Sequence, residues 1–380
     1  MEKEKYILKV EPITCVHIGN GEELTPLDYC IVSNPKTGKT YFIKYSSDSI
    51  LRRCATDKNA MNQFELATSS KNMKNVLNFF VEKRDIKMDE EYRCETTREF
   101  VANYRNNKDR DPLENGRFVQ QMYRPEGANY PIIPGTSLKG SIRTAVLNEL
   151  LENYPLRNKL RGLKDNKIQT ELLGSFVDAK EDPFRAVEIS DCLFDAKGTQ
   201  SVGIIKNIKT GRDNELTEHN TSTLQAEIIK GKLYEKNCEV VGLSNIRFNA
   251  NLSRKDLPEK GISKKISKEE IIRSCNNFYW RAFEDEYRKF YKDAVDKVDS
   301  ITRLYKELKD ISNSQTNSFV IKVGRWSQVE YVTYGNDFRN PKTPTRKGKV
   351  MPYGTTRWLF NNDGQYLPLG WCKCTIEDEK

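Results

Sequence analysis

A chain of 380 residues sets 63 Lys and Arg against 54 Asp and Glu, a net charge of +9, and is 37% hydrophobic and 10% aromatic. That length suggests two or three folded units, the aromatic content excludes a disordered chain, and the basic excess favours an acidic partner such as nucleic acid. Nine cysteines with no C-x-x-C spacing exclude a zinc ribbon and a disulfide framework. With neither a signal-peptide core nor a membrane-length apolar run in the sequence, a cytoplasmic protein without metal or cofactor is expected.

In chain order, "KYILKVEPITCVHI", "DYCIV" and "TYFIKY" alternate and are rich in β-branched residues, which predicts three strands. Residues 49–83 carry a helical pattern, and the polar stretch 104–129 reads as a long loop. "IPGTSLKGSIRTA", residues 133–145, opens a helix. Pro134 and Gly135 break what precedes, Thr136 or Ser137 caps, and Leu138, Ile142, Ala145, Val146 and Leu150 recur at helical spacing. Strand patterns return at "RAVEISDCLFD" and, near residue 200, at "SVGIIKNIK" and "LQAEIIKGKLYEKNCEVVGL", where a second sheet is expected to begin. An apolar stripe over residues 266–311 predicts two helices broken near Asp299, with the aromatics of "NNFYWRAF" in the core. "SFVIKVGRWSQVEYVTY", "GTTRWLF" and "LPLGWCKC" return to strand, Cys372 and Cys374 sharing one face. No strand-helix-strand rhythm repeats, so the chain is α+β rather than doubly wound.

The start of the helix at Gly135 concentrates chemistry. A helix N-terminus offers unpaired N–H groups and partial positive charge, and Lys139 and Arg143 share a face there. With Gly135 and Gly140 allowing close approach, the guest suited to this spot is a phosphate; a capped helix with two solvated cations is the rival. The spacing from Gly135 to Gly140 matches G-x-x-x-x-G-K-[ST], but Ser141 and Ile142 replace its lysine and hydroxyl, which disfavours ATP hydrolysis. The loop "NPKTPTRKGKVMP", with Lys342, Arg346, Lys347 and Lys349, is either a solvated charge run or a phosphate-binding arm. Of the two histidines, His17 lies in "VHIGNG" and His219 in a polar stretch. His17 is the one candidate catalytic base for RNA cleavage, and "GNG" is equally the turn of a tight hairpin. No carboxylate cluster suggests a two-metal nuclease.

Three segments carry a family resemblance: "VHIGNG" (16–21), "IPGTSLKGSIRTA" (133–145) and the ending "PYGTTRWLF…LPLGW" (352–371). Together they resemble the repeat-associated mysterious protein (RAMP) superfamily of CRISPR effector subunits, and their order is most similar to the Csm-type subunit that caps the guide RNA 3′ end in type III-A complexes. The resemblance implies two ferredoxin-like (RRM-like) domains with helical insertions, here 1–197 and 198–380. It further implies a non-catalytic RNA-binding subunit that supports crRNA maturation and antiviral defence. Its partners would be crRNA, a backbone RAMP subunit, a small helical subunit and host nucleases that trim the crRNA 3′ end. The residues expected at RNA are His17, Gly19, Asn20, Gly21, Gly135, Thr136, Ser137, Lys139, Gly140, Arg143, Arg346, Lys347 and Arg357. Related subunits often carry a glycine-rich loop where this chain has "KVGRWSQVEY", keeping only Gly324; Arg325 and Trp326 are expected to serve there by charge and stacking. Two rivals stay open, a metal-independent endoribonuclease that processes crRNA precursor and a cap or backbone subunit of another type III complex.

Overall fold

Strands and helices are mixed along the whole computed structural model, which describes residues 3–114, 116–174, 181–195, 200–211, 213–235, 238–249, 264–314, 316–335, 343–344, 350–351 and 354–379. Strands β1 (Lys3–Pro12), β2 (Gly19–Leu24), β3 (Tyr29–Ser33) and β4 (Thr40–Tyr45) precede helices α1 (Ser47–Cys54), α2 (Lys58–Ser69), α3 (Met73–Lys83) and α4 (Ile86–Asp89). Then come β5 (Glu90–Thr96), α5 (Arg98–Asn106), β6 (Val119–Met122), β7 (Ile132–Ile133), α6 (Gly135–Glu152) and α7 (Asp165–Leu173). Strands β8 (Val187–Ile189), β9 (Cys192–Phe194), β10 (Gln200–Thr210), β11 (Leu216–Ile229) and β12 (Gly242–Asn249) lead to helices α8 (Lys268–Phe290) and α9 (Asp299–Asn313). The chain closes with β13 (Ser318–Lys322), α10 (Val329–Val332), β14 (Thr343–Pro344), β15 (Val350–Met351), β16 (Arg357–Asn362), β17 (Gln365–Pro368) and β18 (Trp371–Asp378). Lys342, Arg346, Lys347 and Lys349, the cations of the expected basic loop, lie outside the described residues.

Local chemistry accounts for the helices. Ser46, Asp57 and Asn72 cap α1, α2 and α3 with side-chain oxygens that accept first-turn N–H groups. Ser267 caps α8, with Glu269 and Glu270 in its first turn and Arg288 and Lys289 in its last. The helix pair expected over 266–311 is present, with α9 beginning at Asp299.

Two curled sheets organise the α+β fold. The first runs β13-β18-β1-β12-β9-β7, with β8 also paired to β12, and the second runs β2-β6-β11-β10-β5-β4-β3, extended from β10 by β16 and β17. Helices α6, α8 and α9 bury Leu138, Ile142, Phe283, Leu304 and Leu308 in the main core with Leu8, Val10, Phe319 and Trp371 of the first sheet. Each sheet draws strands from both sides of residue 197, so the sheets do not follow the expected division into 1–197 and 198–380. Nor does a separate sheet begin near residue 200, because β10 and β11 join β5 and β6.

Other expectations also need correcting. The stretch 104–129 is not all loop: β6 lies within it and pairs with β2 and β11. "GNG" makes no hairpin turn; it forms the irregular start of β2, whose register with β6 shifts between Gly19 and Glu23. Only Ser318–Lys322 of "SFVIKVGRWSQVEYVTY" is strand.

The segment joining β1 to β2 ties the sheets together. Ile13, Thr14, Cys15, Val16 and His17 are all buried. Ile13 and Thr14 donate N–H to the Trp371 carbonyl, Cys15 accepts from Gly370, and Val16 exchanges both backbone bonds with Ile229. Gly231 passes so close that a Cβ there would stand 2.5 Å from the Thr14 carbonyl carbon.

Candidate nucleic-acid interface

A groove of about 590 Å³ opens where three distant parts of the sequence meet. Gly19 and Gly21 of β2 form one wall. Thr136, Ser137, Gly140, Ser141 and Thr144 of α6 form another. Residues 322–325 with Ser327, Tyr331 and Val332 complete it. Two of the segments singled out in the sequence are thus brought together, along with the one that departs from the glycine-rich pattern. Asn20, exposed between the two glycines, steadies the irregular start of β2 by accepting the Glu22 N–H at 2.9 Å and donating to Gln121 at 3.1 Å.

The two glycines of α6 have different tasks. A Cβ on Gly135 would fall 2.2 Å from the Ile189 carbonyl oxygen, so the close approach there is made by the protein's own chain and not by a ligand. A Cβ on Gly140 would meet nothing within 4 Å, and this glycine leaves backbone open to the groove.

The mouth of α6 is already partly filled. Gly135 donates its N–H to the Asp191 carboxylate at 2.8 Å, and Ser137 and Leu138 donate to the Pro134 carbonyl. Neither Thr136 nor Ser137 caps the helix, because both lie inside its first turn; they line the groove instead. Lys139 and Arg143 share a face as expected, but neither lines the groove. Arg143 holds Asp182 at 2.8 Å and Gln169 at 2.9 Å, with its guanidinium 4.9 Å from the Phe184 ring centroid. Lys139 is half-buried, and that burial lowers its pKa against the opposing pull of Asp182.

The loop after β13 has an unusual backbone. Gly324 sits at φ +90°, Trp326 at +66° and Gln328 at +62°, the last with ψ 157°, a region essentially reserved for glycine. His17 anchors this loop. Its carbonyl accepts the Arg325 N–H at 3.0 Å, and a Cβ on Gly324 would stand 2.3 Å from that same oxygen. Its ring packs on Trp326 with centroids 5.0 Å apart. Nδ1 lies 2.7 Å from the Glu227 carbonyl, which can only accept, so Nδ1 carries the proton. Nε2 is left buried without a partner among the described residues, and burial draws the pKa down to about 4. At 1% exposure the imidazole is an interior strut. Arg325 is the exposed cation of the loop, its guanidinium 5.4 Å from the Trp326 ring and bonded to Gln120.

Arg357 is a correction to the expected RNA contacts. It is 3% exposed and donates to Glu330 at 3.0 Å beside Glu286, forming a buried ion-pair group. Burial pushes the Glu286 carboxyl up, but Arg357, Lys322 and the hydroxyls of Tyr331 and Tyr291 together hold it below its ordinary value. Lys322 was missed because it closes the apolar run "SFVI", where a strand end and a surface lysine read alike. Among the described residues no group of three His, Cys, Asp or Glu is placed to hold a metal ion, and no helix is long and apolar enough to cross a membrane.

The family model of the RAMP superfamily matches residues 9–335, and the chain belongs to that superfamily. No curated protein matches it. Among solved structures it is similar to a chain of the cryo-EM Csm–crRNA–target RNA ternary complex of a type III-A CRISPR-Cas system, at 16% identity and TM-score 0.62, over 99% of this chain and 100% of that one. It is also similar to the crystal structure of T. onnurineus Csm5, at 17% identity and TM-score 0.57, over 96% and 99%.

Proposed function

We propose that this chain is a guide-RNA-binding subunit of a type III-A CRISPR effector complex, that it caps the crRNA 3′ end, and that it binds RNA without cutting it. The observation that carries the reading is the groove itself. Exposed glycine backbone, two hydroxyls of the α6 first turn and the Arg325 cation converge on one open surface, which suits a sugar-phosphate backbone read with little attention to base. Likeness in fold to Csm5 and to a chain of the Csm–crRNA–target RNA complex supports the same assignment. The partners are then crRNA, the terminal backbone RAMP subunit and the small helical subunit, with host nucleases trimming RNA the cap leaves uncovered. Cleavage by His17 is disfavoured because Nε2 lies behind Gly19, whose Cβ position is 3.0 Å away, out of reach of a 2′-hydroxyl.

Copurifying the assembled complex and sequencing its RNA tests the proposal. Deleting this subunit should leave ragged or shortened crRNA 3′ ends and intact 5′ ends, in support of antiviral defence through a matured guide. Altered 5′ ends with intact 3′ ends would overturn the capping assignment. Specific cleavage of repeat RNA by the purified chain, lost in His17→Ala, would promote the endoribonuclease.

A further inference from the structure

Lys322 ends β13 and is 3% exposed, yet it lines the floor of the groove. Its ammonium lies 4.3 Å from the Tyr331 ring centroid and 5.1 Å from that of Trp371, and it makes no hydrogen bond or ion pair with any described residue. Neither nearby carboxylate bonds the ammonium: Glu286 accepts from Tyr291 at 2.7 Å and from Tyr331, and Glu330 accepts from Arg357 through Oε1 while its Oε2 has no partner among the described residues. Two aromatic faces attract a cation but satisfy none of its three N–H donors, and a buried ammonium without acceptors is costly. The backbone around it is fixed. Ser141 donates to the Lys322 carbonyl at 3.0 Å, and Ser327 donates to the Gly324 carbonyl at 2.7 Å. Across the groove, the Ser137 hydroxyl has no partner among the described residues.

We infer that Lys322 and Ser137 form a single-phosphate subsite at the bottom of the groove, the ammonium holding a non-bridging oxygen of one RNA backbone phosphate. This rests on the RNA-binding reading and names the contact inside it. Burial draws the Lys322 pKa down to about 8; Glu286 and Glu330 oppose the fall, and Arg357 adds to it. The other titratable groups facing it are Tyr331 and, from α8, Tyr279, whose hydroxyl is bound to the Ser141 carbonyl at 3.1 Å; Arg325 stands at the groove edge. A phosphate on the ammonium raises its pKa, so binding through it weakens as pH climbs through that value.

The test uses the full chain in two arms. In the first, inorganic phosphate is titrated into protein carrying 15N-lysine, with the Lys322 signal assigned by its absence from Lys322→Arg and Lys322→Met. The signal should shift saturably. In the second, a fluorescent single-stranded oligouridylate is bound over a range of salt and pH. Lys322→Met should lose roughly tenfold in affinity and about 0.7 of the log-log salt slope, read at a temperature where both proteins are folded. Lys322→Arg should bind without the loss the parent shows on going from about pH 7 to about pH 9. A Lys322 signal unmoved by either phosphate or RNA, or a parental salt slope in Lys322→Met, would overturn the subsite. If the parent binds no RNA while phosphate still moves the signal, the anion subsite stands and the RNA reading falls.

Discussion

Gly135 and Gly140 show how one residue type does two jobs within two turns of helix. Gly135→Ala drives a methyl into the Ile189 carbonyl, a backbone atom that cannot rotate away. The expected result is a loss of about 1–3 kcal/mol of unfolding free energy, read by urea denaturation. Gly140→Ala adds a methyl in open space within a helix, which should stabilise the free chain by roughly 0.5–1 kcal/mol while weakening RNA, because the methyl points where a ligand approaches. An RNA affinity equal to the parent's would show that nothing comes close there. His17 makes a second residue-scale case. Its folded pKa of about 4 lies below the ordinary 6.5, so the unfolded chain binds more protons between these values. Stability therefore is full above about pH 6.5 and falls as pH drops towards 4, by about 3 kcal/mol in all. In His17→Gln that part of the slope should vanish from denaturation curves measured across the interval.

At the scale of elements, the loop 324–328 takes a positive φ at three positions, with glycine at only one of them. Holding Trp326 and Gln328 there costs on the order of 1–3 kcal/mol each, which the His17 carbonyl, the His17–Trp326 ring contact and the Gly324–Ser327 hydrogen bond offset. Gln328→Gly should raise the melting temperature, by relief of about 1 kcal/mol or more; an unchanged or lower value would mean the loop is not strained. Elements with strong local signals were legible in the sequence: α8 and α9 from a long apolar stripe and a break at Asp299. Those defined by remote pairing were not. "VQQM" carries two glutamines at its centre and becomes strand only because β2 and β11 flank it. Arg357 looked like a surface cation because its acids, Glu286 and Glu330, come from α8 and α10. The groove was half legible: its α6 wall and β2 wall were named, while Lys322 was hidden in an apolar run and Arg143 was assigned to a ligand that Asp182 replaces.

On the scale of the whole molecule, a head-to-tail backbone subunit presents two complementary faces and keeps adding copies until one is blocked. In the capping role proposed above, the stretch 104–129 and the pair α8–α9 are the additions that would cover one face. Native mass spectrometry of the complex proposed above should accordingly count this chain once, and several copies would remove the capping role. One consequence of the topology concerns time rather than shape. Strand β1, near the beginning of the sequence, lies between β12 and β18, and the N–H of Trp371 closes on the Thr14 hydroxyl across a separation of 357 residues. A ribosome adding about 5–20 residues per second leaves β1 without its β18 neighbour for some tens of seconds, with Leu8 and Val10 uncovered. The segment carrying His17 hangs from that same junction, so the groove takes shape only after nearly all of the chain has been made. In the RNA-binding role proposed above, an unfinished chain would lack the formed groove, and guide strands would be reserved for completed molecules.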